Sequence, residues 1–194
     1  MATDQSNRAN IIKMLLALEA QIRQASALAS SIQRGMGSEN FAVYLKFRIK
    51  VDEIMSLSAI IERRIEDILE LDIKALSHQF LKLNAHALTM LVRSNKGFFG
   101  ALAERRAVPI GIRDVLAQEL KFLDTVRERL EQPNLQDQLD QRIFEDLDDV
   151  MTAIRSISDR TTSLEDFTGA PSLSEWTGQA RIALPKMATN KVRR

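Results

Sequence analysis

The chain of 194 residues has no cysteine, only two histidines, and few glycines and prolines (seven and four). Without cysteine there is no disulfide, no thiolate nucleophile and no cysteine-ligated zinc site. Aromatic residues make up 5% of the chain, whereas strands favour aromatic and β-branched residues. These shortages predict an all-α protein and exclude the classes of protein that depend on cysteine.

Long apolar runs and a strong net charge are also missing. No stretch approaches the ~20 uninterrupted apolar residues of a membrane-spanning helix. Lys13, Glu19 and Arg23 interrupt the apolar segment near the N-terminus, which argues against a secretory signal. The formal net charge of +1 gives no general argument for a polyanionic partner. We therefore expect a cytoplasmic protein with no integral membrane segment.

Sequence motifs for catalysis and metal binding are absent. The chain has no Gly-x-Ser-x-Gly, phosphate-loop, Gly-x-Gly-x-x-Gly or His-Glu-x-x-His pattern. His78 and His86 are eight residues apart, which on a helix separates them by ~12 Å along the axis, too far to share one ion. Neither histidine has the glutamate three residues earlier that di-iron bundles use. We expect no catalytic residue, no metal and no cofactor.

The most concentrated charge lies in residues 61–74, "IERRIEDILELDIK". On a helix its four-residue steps form one stripe: Glu62, Glu66, Glu70 and Lys74. Carboxylates at 66–70 could serve acid–base chemistry only if a second segment, such as 145–149, converged on them. A solvated charged flank is the simpler interpretation. A carboxylate-based enzyme is accordingly the third and least favoured function.

Apolar residues that recur at alternating steps of four and three predict helices with coiled-coil-like seams. Four segments show this pattern, at about 8–34, 38–96, 112–132 and 135–163. The 59 residues between Gly37 and Gly97 contain no glycine or proline, and one helix of that length would span ~88 Å. We therefore predict an elongated helical bundle, antiparallel and coiled-coil-like, with one very long helix over about 38–96. Its seam advances by fours around 61–73, and a bend near 69–77 is the alternative.

The seams also predict which residues face inward. For the first helix these are Ile11, Leu15, Leu18, Ile22, Ala25, Ala29 and Ile32. For the long segment they are Tyr44, Phe47, Val51, Ile54, Ser58, Ile61, Ile65, Ile73, Leu76, Phe80, Leu83, Ala87 and Met90. For the later helices they are Ile112, Leu116, Leu120, Leu123, Val126, Leu130, Leu139, Ile143, Leu147, Val150, Ile154, Ile157 and Leu164. Between the long helix and the next, we predict a hinge at Gly97, Gly100, Pro109 and Gly111.

Residues 168–194 lack an amphipathic period, so we predict a bundle over 1–167 followed by a flexible basic tail. Residues 133–166 carry nine acids and three bases, whereas 167–194 carry five bases and one acid. The tail residues predicted to bind a partner are Trp176, Arg181, Lys186, Lys191, Arg193 and Arg194. Opposite charge favours docking either on the chain's own acidic helix or on an external protein.

Together these patterns predict a non-enzymatic helical scaffold or adaptor. We expect it to form a homo-oligomer through its seams and to dock a protein partner, with the tail taking part. The alternative is a helical-bundle regulator that binds nucleic acid, which the sparse basic residues favour less.

Overall fold

The computed structural model describes residues 2–34, 39–67, 73–105, 108 and 112–163. The secondary structure of these residues is entirely helical, which confirms the predicted all-α bundle: α1 Ala2–Arg34, α2 Glu39–Glu66, α3 Lys74–Ala103, α4 Ile112–Leu130, α5 Pro133–Gln136 and α6 Arg142–Ser163. Contacts divide the chain into two units, Met1–Asp159 and Arg160–Arg194. The buried hydrophobic residues of the described chain all lie in the first unit. Of the second, only the end of α6 is described. The predicted boundary between 167 and 168 lies outside the described residues and stays a prediction.

α1 is the central packing element of the first three helices. All seven residues of its predicted seam are buried, with Leu18 and Ala25 fully inaccessible. The helix contacts both α2 and α3. Because a seven-residue repeat keeps one stripe of side chains facing the neighbouring helices, the seam alone was sufficient to identify this part of the core.

α2 and α3 form an antiparallel pair, so the prediction of one very long helix over about 38–96 is wrong. The N–H of Asp67 donates to the Arg63 carbonyl at 3.1 Å, which closes the last turn of α2. Near the other end of α2, the ring of Tyr44 stacks on that of Phe98 with centroids 4.1 Å apart. A continuous helix would separate these two residues by ~80 Å.

The physical reason for this difference is tertiary packing. When the chain folds back, both halves of the long apolar segment pack against α1, and the apolar burial that results outweighs the lack of a local turn signal. The predicted bend near 69–77 is therefore the better description, although residues 68–72 lie outside the described part of the chain. The ~88 Å helix was the reason to expect an elongated molecule, and that reason no longer holds.

Distance measurements should detect the antiparallel arrangement directly. Spin labels on cysteines at Lys46 and Ala101, both exposed, should lie within about 30 Å, because packed helices have axes 8–10 Å apart. A continuous helix would place them ~80 Å apart. Double electron–electron resonance distinguishes the two outcomes, and the absence of native cysteine confines the labels to these sites.

α3 continues through Gly97 and Gly100 to Ala103, so the predicted helix end at about 96 is wrong. Phe98, Phe99 and Leu102 are buried and extend the apolar face of the helix by two turns. Burial of these side chains outweighs the modest helix penalty of two glycines. A Cβ atom added to Gly100 would meet no atom within 4 Å.

Replacing Gly100 with Ala should therefore raise the free energy of unfolding by about 0.5–1 kcal/mol, because alanine loses less backbone entropy in a helix. Chemical denaturation measures the change. The matched control is Ala101→Gly at the exposed neighbouring position, which should lower stability by a similar amount. A less stable Gly100→Ala variant would show that the position needs glycine for another reason.

The final predicted helix, about 135–163, is in fact two helices. Pro133 begins the short α5, where its missing N–H and fixed φ suit the first helical position. α6 begins at Arg142, whose N–H donates to the Asp140 carboxylate at 3.1 Å. That contact satisfies a donor that the first turn leaves free, so it marks a helix start inside the predicted segment. The inward positions Ile143, Leu147, Val150, Ile154 and Ile157 are buried as predicted.

Candidate functional site

A network of polar and charged side chains around the buried Glu119 joins α2 to α4. Tyr44, Arg48 and Asp52 lie on successive turns of α2, and Glu119 and Phe122 lie on α4. Residues four apart lie on the same face of a helix, so these three side chains share one face of α2. We call these five residues the α2–α4 network.

Arg48 is the centre of the α2–α4 network. Its Nε donates to Oε1 of Glu119 at 2.6 Å, and its guanidinium also pairs with Asp52. The guanidinium carbon lies 3.5 Å from the centroid of the Phe122 ring, a cation–π contact. Glu119 is only 3% exposed, so this is a largely desolvated ion pair.

Neither the Glu119 Oε2 nor the Tyr44 hydroxyl makes a hydrogen bond of standard geometry among the described residues, but the two groups lie close enough to interact electrostatically. Burial raises the pKa of Glu119, and the attraction of Arg48 offsets this only in part. Burial, with the nearby Glu119 carboxylate, also raises the pKa of Tyr44 well above its usual range. Burial lowers the pKa of Arg48, but Glu119 and Asp52 outweigh it and leave that pKa raised.

This raised pKa of Glu119 gives a pH dependence of known sign. The Glu119 carboxyl binds a proton more tightly in the folded chain than in the unfolded chain. Its contribution to the free energy of unfolding is therefore greatest below the unfolded pKa of about 4.3, and it is lost as the pH rises through the pKa of Glu119 in the folded chain. The stability of wild type relative to Glu119→Gln should therefore decline as pH rises from about 4. Urea unfolding of both proteins at successive pH values measures this difference in the free energy of unfolding. Glu128→Gln, on the exposed side of α4, is the control, and parallel profiles for wild type and Glu119→Gln would contradict the expectation.

The α2–α4 network contains no pair of a nucleophile and a histidine base. It has two carboxylates, a phenol and a guanidinium, but no histidine and no serine, threonine or cysteine nucleophile. Among the described residues no group of three or more His, Asp or Glu side chains could hold a metal ion. We interpret the network as a determinant of how α4 packs on α2.

Sequence reasoning missed Glu119, although the spacing contained the signal. The strict four-three alternation on α4 runs through Ile112, Leu116, Glu119, Leu123, Val126 and Leu130. Leu120 was predicted at the third position, but it is only half-buried, whereas Glu119 is buried. A glutamate in a seam position indicates a buried charge that needs a cation on the facing helix.

Aromatic rings and an unsatisfied amide lie deeper in the same interior. Tyr44, Phe98 and Phe99 form a cluster in which Phe98 and Phe99 meet edge to face at 5.1 Å. Asn95 is fully buried on α3, and neither atom of its side-chain amide has a partner among the described residues. Such a group costs stability unless it is compensated.

Ion pairs join α3 to the acidic helix α6. Lys96 Nζ lies 2.7 Å from carboxylate oxygens of both Asp146 and Asp149, and these carboxylates raise the pKa of Lys96. Arg93 contacts Asp140 at 3.5 Å and Asp146 at 3.7 Å. The acidic segment identified in the sequence is thus used, in part, to hold α6 on the C-terminal half of α3.

The two predicted acidic segments do not converge. Asp146 lies beside Lys96, at the end of α3 that meets Tyr44. Glu66 is 22 residues further along α2, which corresponds to ~33 Å of helix. Asp67, beside it, instead lines shallow pockets with Arg63 and Arg64. Glu70 lies outside the described residues. The arrangement expected for a carboxylate-based enzyme is therefore not formed by the acids that are described.

The remaining predicted site residues are either unclustered or outside the described chain. His78 and His86 are both exposed on α3. Of the predicted hinge, Gly97 and Gly100 lie within α3, and Pro109 and Gly111 are outside the described residues. So are all the predicted tail residues, whose role stays a prediction: Trp176, Arg181, Lys186, Lys191, Arg193 and Arg194.

A shallow apolar groove lies between the N-terminal halves of α1 and α3. Its lining residues are Ile12, Leu15, Leu16, Glu19, Leu76, Gln79 and Leu83. Leu16 is 61% exposed and Ile12 40%, although leucine and isoleucine are usually buried. We call this feature the α1–α3 groove. It offers a surface for another apolar molecule rather than a site for chemistry.

Comparison with family models, curated proteins and solved structures gave no match for this chain. Among the described residues, no helix is long and apolar enough to span a bilayer. The function has to be inferred from the chain's own residues and their geometry.

Proposed function

We propose that this protein is a non-enzymatic helical scaffold or adaptor that acts in the cytoplasm. It self-associates and docks a protein partner, and its basic tail contributes to docking. The observation that carries the proposal is the set of large apolar side chains that α2 exposes in addition to its buried seam: Leu45, Ile49 and Ile60, which are 38%, 61% and 53% exposed.

The exposed positions on α2 share one face. Residues 45, 49 and 60 fall within about 60° of each other around the helix axis. The buried seam of α2, which includes Tyr44 and Phe47, already packs inside the bundle. A helix that is apolar on two faces commonly has a second neighbour. The absence of a metal cluster from the described residues is compatible with this function but does not test it.

Self-association through α2 is tested by sedimentation velocity at tens of micromolar protein. Wild type should sediment as an oligomer, and Ile49→Lys should shift it to monomer, because a charge would be desolvated in the interface. Ala117→Lys, at an exposed position of α4, is the matched control and should leave the oligomer intact. A strictly monomeric wild type would refute self-association.

The contribution of the tail is tested by deletion. Affinity capture with the full-length chain and with a chain lacking residues 168–194 should recover different sets of proteins, because the deletion removes Trp176 and five cations. Identical sets would show that the tail is not a docking segment, while leaving self-association as an independent question.

A second candidate is a regulator that binds nucleic acid. It is favoured by α3, which carries no acidic residue and exposes Lys74 and Lys82, whereas Arg93 and Lys96 on the same helix are already paired with aspartates. Phosphate contacts would make binding fall steeply with salt. A gel-shift experiment at about 50 mM salt should then show a complex that disappears by about 200 mM, and no shift at the lower concentration would exclude this function.

A further inference from the structure

The two halves of α3 are covered differently. From residue 84 to 102 the helix is buried on two faces, and Ala85, Val92 and Phe99, at seven-residue intervals, lie on the second one. In the N-terminal half, residues 74–83, only Phe80 is buried. Leu76 and Leu83 there are half-exposed and line the α1–α3 groove.

Charge on α3 follows the same division. In the C-terminal half, Arg93 and Lys96 are paired with the acidic residues Asp140, Asp146 and Asp149 at the start of α6. The N-terminal half exposes Lys74, His78 and Lys82 in steps of four, His86 continues the series just beyond it, and α3 contains no acidic residue. None of these four makes an ion pair within the part of the chain that the structure describes.

The α1–α3 groove carries little negative charge to repel an acidic ligand. Glu19 lines it, but its carboxylate already accepts a hydrogen bond from Arg23 at 2.6 Å. On the other side Lys82 lies one turn from Gln79, which lines the groove, and His86 lies one turn from Leu83. The groove is therefore apolar along its floor, and its α3 edge carries the cation Lys82 and the imidazole of His86.

From this combination we propose that the α1–α3 groove binds an acidic amphipathic helix of a partner protein. The apolar stripe of the partner packs on Leu16, Leu76 and Leu83, and its carboxylates face Lys82. α6 provides the precedent, because it is an acidic amphipathic helix held on α3 through Lys96. The proposal rests on the adaptor function and identifies the class of partner.

The apolar floor of the groove favours an acidic helix over a phosphate backbone as the ligand. Leu15, Leu16, Leu76 and Leu83 contribute nothing to binding phosphates, which need cations and amide donors. An amphipathic helix uses both the floor and the edge, since its apolar residues recur at positions i, i+3, i+4 and i+7. The groove is also separate from the α2 face to which self-association was assigned.

The test is fluorescence anisotropy with a labelled synthetic peptide of about 21 residues, leucine at the a and d heptad positions and glutamate elsewhere. The full chain should bind it, whereas the same peptide with lysine for glutamate should bind at least about tenfold more weakly. Lys82→Glu and Leu16→Ser should each weaken binding of the acidic peptide by about tenfold. Lys121→Glu, an exposed position on α4, should leave the affinity unchanged.

Four results would overturn the proposal. These are no binding of the acidic peptide, equal binding of both peptides, an affinity unaffected by Leu16→Ser, and duplex DNA that binds and is lost with Lys82→Glu. Circular dichroism of each variant checks that a loss of binding is not a loss of fold. If the peptide fails to bind while Ile49→Lys still abolishes self-association, the groove proposal fails and the scaffold function stands. If the peptide binds and wild type is monomeric, the groove proposal stands and only self-association fails.

Discussion

Replacing Arg48 with Met should lower the free energy of unfolding at pH 7 by about 3–5 kcal/mol, because it leaves a buried carboxylate without its cation. Glu119 is only 3% exposed, and Arg48 is its ion-pair partner at 2.6 Å. The substitution also removes the cation–π contact with Phe122. Urea unfolding followed by circular dichroism measures the loss, provided that the dependence on denaturant is unchanged.

The double variant Arg48→Met/Glu119→Leu distinguishes the effect of the buried ion pair on stability from the effect of side-chain packing. Replacing both charges with apolar groups of similar size should restore much of the stability, since a buried ion pair often contributes little beyond its own desolvation cost. Arg23→Met, which disrupts the exposed pair with Glu19, should change stability by less than about 1 kcal/mol. If Arg48→Met cost no more than that control, the α2–α4 network would have no role in stability.

The second large effect is expected at Phe99. Replacing it with Ala should cost about 3–5 kcal/mol, through lost burial and the cavity left behind. Phe99 is fully buried, and its ring meets Tyr44 at 5.3 Å and Phe98 at 5.1 Å between centroids. Its ring packs against Tyr44 of α2, so its loss also weakens the contact between α2 and α3.

Thermal and urea unfolding of Phe99→Ala measure this loss. Ile49→Ala on α2, which truncates a residue that is 61% exposed, should stay within about 0.5 kcal/mol of wild type under conditions where the chain is monomeric. A small effect at Phe99 would contradict this expectation and favour a helix end near residue 96.

Local patterns were sufficient for much of the fold. Every predicted seam residue of α1 is buried, as are Phe47, Val51 and Ile54 on α2. The reason is that the direction of a helical side chain depends only on its position in the helical repeat, which the sequence contains. The candidate site was harder to predict. Arg48 and Glu119 are 71 residues apart, and the sequence around each of them does not indicate that the other is its partner.

The composition and heptad spacing by themselves determined that the chain is helical and which faces of its helices are apolar. The tertiary structure alone decided that residues 39–66 and 74–103 are two antiparallel helices, because the stretch between them has no glycine or proline to mark a turn. It also decided which apolar surfaces stay uncovered, the α1–α3 groove and the face of α2 with Leu45, Ile49 and Ile60. Burial is a property of two surfaces together, and only the fold shows which of them meet.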